Sequence, residues 1–196
     1  MIVMSDKKSK MKKIRDELFD FTESPLYEDR IKNNSFPVIG EGSHDAKVIF
    51  IGEAPGKNEA KTGKPFCGAS GKVLDQLLEH IKLDREDVYI TNIVKDRPTN
   101  NRDPKPEEIE LYAPFLDKQI EIIKPKIIAT LGRFSMEYII KKFGLEEKLE
   151  PISKLHGKKI KIPKTNMTII PLYHPAVAVY NRNMLDDLKK DFEILK

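Results

Sequence analysis

The sequence predicts an α/β sandwich around a short, mostly parallel sheet. Three observations carry that reading. Runs rich in β-branched residues, such as Val48-Ile49-Phe50-Ile51, have the length of buried strands rather than helices. Between them lie stretches with apolar residues at helical spacing. Loops rich in Gly and Pro separate the two kinds of segment. Strands that alternate with helices are joined by crossovers, which leave neighbouring strands parallel.

Taken in order, residues 7–21 form a charged segment with Ile14, Leu18 and Phe21 at helical spacing. Residues 31–45 hold Asn, Ser, Pro and Gly and read as a loop into the first strand, 48–51. A helix over 71–81 places Val73, Leu74, Leu77, Leu78 and Ile81 on one face. A second strand, 88–94, runs into Lys95-Asp96-Arg97-Pro98 and a polar loop through Pro104. Pro106-Glu107-Glu108 then opens a helix, with Pro near its first position and acids near the positive dipole end. Ile109, Tyr112, Leu116, Ile120 and Ile123 form its inner face. A third strand over 126–131 turns at Gly132 into a helix that ends near Ile140. Residues 159–162 alternate as an exposed strand does, and the strand 167–172 follows across a turn. The last helix, 184–195, sets Leu185, Leu188, Phe192 and Leu195 on one side. There is no internal repeat and no low-complexity segment.

A chain of 196 residues is expected to form one domain, with residues 1–45 as a helix and loop leading into the core. Charged residues make up 34%, but Lys and Arg number 35 against 31 Asp and Glu. A net charge of +4 permits a local nucleic-acid patch without demanding one. No run approaches the roughly 18 apolar residues that a membrane helix needs. The N-terminal lysines precede no apolar signal core, so insertion and secretion are not expected. The single cysteine, Cys67, excludes an internal disulfide and fits a reducing cytoplasm.

The functional signal is concentrated after the first strand, in Gly52-Glu53-Ala54-Pro55-Gly56-Lys57-Asn58-Glu59, which closes on Pro65-Phe66-Cys67-Gly68. It is not a triphosphate loop: the spacing from Gly52 to Gly56-Lys57 is short by one residue, and Asn58 stands where Ser or Thr would hold magnesium. Glycines that admit a ligand to the backbone, two carboxylates and an aromatic ring suit a flat polar ring. Thr91-Asn92 and the segment from Tyr173-His174-Pro175 to Asn181 end two further strands. Parallel strands deliver their carboxyl ends to one edge, so the three loops are expected to share one pocket.

Those motifs, with Gly63-Lys64-Pro65-Phe66, Thr91-Asn92-Ile93-Val94-Lys95, Arg97-Pro98, Asn101-Arg102 and His174-Pro175 in that order, resemble the uracil-DNA glycosylase superfamily, and most of all its family 4. The likeness runs from about Gly40 to the C-terminus. It implies a three-layer α/β/α sandwich with a four-stranded parallel sheet, and excision of uracil from DNA by a monomer without a cofactor. Within it, Phe66 is the stacking ring for an extruded base. The Asn92 amide can meet N3–H and O4 of uracil, a pattern that cytosine reverses. His174 donates toward O2 as the departing ring gains negative charge. Glu53 sits on the pocket floor with Gly52, Ala54 and Pro55, and helps an oxocarbenium-like sugar. Glu59 either crowds C5 against thymine's methyl or is a solvated loop charge. Contacts to the DNA backbone are expected from Lys72, Lys95, Arg97, Arg102 and the helix start at Gly132. Val179-Tyr180-Asn181-Arg182 would push into the duplex.

The chain departs from family 4 at one point. That family usually holds a [4Fe–4S] cluster on four cysteines; here the matching positions are Phe21, Ser24, Asp96 and Tyr112, none a thiolate. No metal is therefore expected. Phe21 packed near Tyr112, with Asp96 paired to a basic group, is the expected substitute. Tyr180 replaces an Arg, and Ser70 an Ala, common in the family. Two other readings stay open at this point: excision of another deaminated base such as hypoxanthine, and a DNA- or nucleobase-binding module that does not cleave.

Overall fold

Strands buried on both faces read as continuous apolar runs, and the centre of the molecule is made of such runs. The computed structural model describes residues 2–196, with side chains from Asp6 onward. The chain opens with α1 (Ile2–Phe19), α2 (Tyr27–Lys32) and β1 (Glu41–Gly42). β2 (Val48–Gly52), α3 (Lys57–Thr62), α4 (Ala69–His80) and β3 (Tyr89–Asn92) follow. Then come α5 (Pro106–Ile123), β4 (Ile127–Leu131), α6 (Arg133–Lys142) and α7 (Ile152–Leu155). β5 (Ile160–Lys161), β6 (Thr168–Leu172), α8 (Ala176–Tyr180) and α9 (Met184–Phe192) complete the order.

Among the described residues the sheet has six strands, in the order β1-β3-β2-β4-β6-β5. The four central strands are parallel, as expected, but the sheet is wider than four. The two-residue strands β1 and β5 pair antiparallel at its edges. β5 is the core of the exposed strand expected over 159–162, whereas β1 falls in the segment read as a loop and is too short to leave a periodic pattern. β2 shows how the sheet divides the core. Ile49 and Ile51 join α1, α5 and α6 through Leu18, Leu116 and Ile139 on one face. Val48 and Phe50 join α4 and α9 through Leu74, Leu77 and Phe192 on the other. Alternate residues of a strand point to opposite faces, so the chain becomes an α/β/α sandwich.

β3 is shorter than the strand expected over 88–94. The N–H groups of Ile93 and Val94 leave the ladder and donate to the carbonyls of Gly52 and Glu53, at 3.1 and 3.0 Å. The ends of β2 and β3 are thereby fastened to each other, with Gly52 beside Asn92 in the parallel register.

The positions that would carry cysteines in family 4 meet beneath the N-terminal segment. The Tyr112 hydroxyl lies 2.6 Å from both Ser24 Oγ and Asp96 Oδ2. Phe21 packs edge-on against Tyr112, ring centres 5.4 Å apart. Arg30 donates to Asp96 at 3.1 Å and to the terminal α1 carbonyls of Leu18 and Phe19, at 2.9 and 2.7 Å. Burial raises the Asp96 carboxyl, while Tyr112 and Arg30 pull it back. This set does not fit an iron–sulfur cluster: it offers no thiolate, and its polar atoms already satisfy one another. α1, the loop after it, α2, the exit of β3 and α5 are joined by ordinary side chains instead.

Candidate active site

Gly52, the last residue of β2, decides how close the pocket residues can come. A Cβ there would stand 2.3 Å from Asn92 Oδ1 and 2.8 Å from the Phe66 ring. Only a hydrogen fits, so the amide and the ring both reach the strand end. Phe66 has φ +47°, a left-handed conformation uncommon for an aromatic residue. Its neighbours hold it there. Glu59 Oε1 accepts the N–H groups of Cys67 and Gly68, at 3.0 and 2.9 Å. Arg85 donates to the Pro65 and Phe66 carbonyls at 2.6 and 3.3 Å. A side chain at Gly71 would overlap the Phe66 carbonyl, at 1.8 Å. Strain so over-determined is a mark of functional loops.

His174 lies two residues beyond β6. Its Nδ1 accepts the Ala176 N–H at 3.1 Å, which leaves the proton of a neutral ring on Nε2. Burial pushes its pKa down to about 4, and Glu59 opposes that only partly. The ring is therefore a neutral donor at physiological pH. It is roughly parallel to Phe66, ring centres 5.6 Å apart.

One cavity of about 400 Å³ is lined by Glu53, Ala54, Glu59, Phe66, Asn92 and His174. The ring, amide and imidazole expected on separate loops share this space. Gly52 and Pro55 are buried behind it. Glu53 is half-buried, and its carboxyl is pushed up to about 7, first by burial and then by Asp103, against the pull of Arg133. Ser70 and Asn101 also line the cavity, and neither was given a role from the sequence. Asn101 has φ +54°, next to Asn100 at +57°, and the Arg97 Nε donates to its Oδ1 at 2.7 Å. The Asn-Asn pair, tolerant of this backbone, was the available signal.

The expected DNA contacts divide. Lys72, Asn181 and Arg182 are exposed. Tyr180 is 90% exposed and Val179 42%, at the end of α8. Arg102 grips Glu108 with both terminal nitrogens, at 2.8 and 2.5 Å, and Arg97 is turned toward Asn101. The Gly132 N–H is used by the Leu172 carbonyl at 2.9 Å, so only the N–H groups after it are left to a phosphate. Lys95 requires a correction. It is fully buried, with its amino group bonded inside the protein, and cannot touch a DNA backbone. A lysine following a strand looked solvent-facing in the sequence, whereas the chain folds back there.

A parallel sheet that gathers a stacking face, a two-way amide and a neutral imidazole at its carboxyl edge belongs to the class of enzymes that act on an extruded nucleobase. The family model described as the uracil DNA glycosylase superfamily matches residues 39–196. The chain belongs to that superfamily. It is 45% identical to a type-4 uracil-DNA glycosylase of Sulfurisphaera tokodaii, over 95% of this chain and 83% of that protein. It is 47% identical to one of Saccharolobus solfataricus, over 85% and 77%. A third, from Archaeoglobus fulgidus, is 42% identical over 84% and 81%.

Proposed function

We propose that this protein hydrolyses the N-glycosidic bond of uracil in DNA and leaves an abasic site. One observation carries the reading: Phe66, Asn92 and His174 line a single cavity, and His174 keeps its proton on the nitrogen not bonded to Ala176. Uracil stacks on Phe66 while the Asn92 amide accepts from N3–H and donates to O4. The C1′–N1 bond breaks with its electron pair passing to the ring. His174, too weakly basic to carry a charge, donates to O2 and stabilises the anion as a dipole. Water adds to C1′ and gives its proton to the Glu53 carboxylate, which also faces the developing positive charge on the sugar. The anion then takes a proton from solvent, Glu53 gives its own proton back to solvent, and base and abasic strand depart.

Glu59 serves twice in this reading, holding the Phe66 loop and narrowing the space near C5. Lys72, Arg182 and the start of α6 grip phosphates, and Val179 with Tyr180 fills the gap left by the flipped base. The whole chain acts as one unit, since Met11, Ile14 and Leu18 of α1 pack in the same core as β2 and α5. Its action on DNA is placed in the cytoplasm, and no described helix is long and apolar enough to cross a membrane. Single-stranded oligonucleotides containing uracil, hypoxanthine or thymine test the reading, with alkali revealing abasic sites. Cleavage at uracil alone is expected. Cleavage only at hypoxanthine, or binding without cleavage, would overturn it.

A further inference from the structure

Lys95 is the one residue of the expected DNA-binding set that the fold hides, and its surroundings give it other work. Its Nζ lies 2.6 Å from the Asn92 carbonyl, 2.7 Å from Thr91 Oγ1 and 2.7 Å from Gln119 Oε1. Each partner is fixed as an acceptor. The Thr91 hydroxyl spends its proton on the Ile39 carbonyl at 2.6 Å. Gln119 Nε2 donates to that carbonyl and to the Tyr89 hydroxyl, at 2.9 and 3.0 Å, which orients its oxygen toward the lysine. Three acceptors need three N–H groups, and only the ammonium has them; a neutral amine would aim a lone pair at an oxygen. Burial presses this group toward deprotonation, but the fixed acceptors favour the charged form. No carboxylate is among its partners, so the charge is not locally cancelled.

The first of those acceptors is the main chain of Asn92, the residue that meets the uracil edge. The next two N–H groups hold the carbonyls of Gly52 and Glu53. The lysine thus closes a short chain of bonds that fixes the last residue of β3 against the end of β2.

We propose that Lys95 is a positioning residue for uracil excision: its buried ammonium, bonded to the Asn92 main-chain carbonyl, fixes the residue that reads the base and sets a positive charge against the end of β3 that meets the departing anion. The proposal rests on the glycosylase reading above. The partners that orient metal ligands cost roughly 10- to 100-fold when removed, and a loss of that order is expected for a group that orients a base-reading residue.

The test compares wild type with Lys95→Met and Lys95→Gln in single-turnover cleavage of strands carrying uracil or 5-fluorouracil. Fluorine already stabilises the departing anion, so it lessens the need for a positive charge at the strand end. The expected loss is about 10- to 100-fold on uracil and several-fold smaller on 5-fluorouracil. Equal losses on both bases, or none, would overturn the proposal. Should neither variant fold, nitrogen-15 NMR of the wild-type lysines decides instead. Lys95, assigned through its own side-chain carbons, is expected as an ammonium protected from exchange near neutral pH, and a neutral amine would overturn the proposal. A wild-type protein that does not cleave uracil strands would overturn the glycosylase reading first, and the proposal with it.

Discussion

Glu53 should make the excision rate depend on pH where an ordinary glutamate would not. Its carboxyl titrates at about 7 instead of its usual 4.5. If the carboxylate takes the proton of water, the ionised fraction sets the rate. From pH 6 to pH 8 that fraction goes from about 9% to about 91%, a rise of about tenfold. A glutamate at its usual value would be almost fully ionised throughout, and the rate would be flat. His174, with its pKa pushed down to about 4, does not titrate in this window. Single-turnover cleavage of a uracil-bearing single strand at constant ionic strength measures the profile. Asp103→Asn removes a repelling charge and should move the midpoint down, whereas Arg133→Gln removes an attraction and should move it up. The stability sign follows from linkage. A carboxyl raised on folding favours its protonated form, so the folded state loses stability as pH climbs from about 4.5 to about 7. Glu53→Gln should therefore be more stable than wild type at pH 8, by about 1–2 kcal/mol once solvent screening of this half-exposed group is allowed for. A flat profile between pH 6 and 8, or the same slope in Glu53→Gln, would refute the assignment.

Other residues give sharper single tests. His174→Ala should slow cleavage by about 10²- to 10³-fold and leave DNA affinity nearly unchanged, because its bond strengthens only as the ring becomes anionic. Parallel losses in both would rule out that role. Asn92→Asp should cut the preference for uracil over cytosine by about 100-fold or more, measured on paired oligonucleotides; an unchanged ratio would mean that the amide does not read the base. Asp96→Asn should cost about 3–5 kcal/mol in urea unfolding, since it leaves the Arg30 guanidinium buried without its counter-ion. A shift below about 1 kcal/mol would show that the pair holds nothing together.

Much of this was legible in the sequence because it is local. The four parallel strands and the helices lining them follow from runs and spacings that one short window contains. The pocket was legible too, because parallel strands must bring their carboxyl ends to one edge, and so Phe66, Asn92 and His174 meet. The N-terminal joint was foreseen at the level of its partners, Phe21 with Tyr112 and Asp96 with a basic group, which proves to be Arg30. What escaped depends on distant residues. Lys95 is buried because Gln119, a turn and a helix later, returns to meet it. The β1 edge forms only because β3 lies beside it. Asn101 reaches the cavity through a backbone twist that no periodicity records.

The joint formed by Ser24, Arg30, Asp96 and Tyr112 frees this protein from an outside supply chain. A fold fastened by a metal–sulfide centre waits on delivery of its inorganic parts and fails when oxidants strip them away. Here the fastening arrives with the polypeptide itself, finished as soon as the chain collapses. A repair enzyme so assembled asks for no iron at this joint.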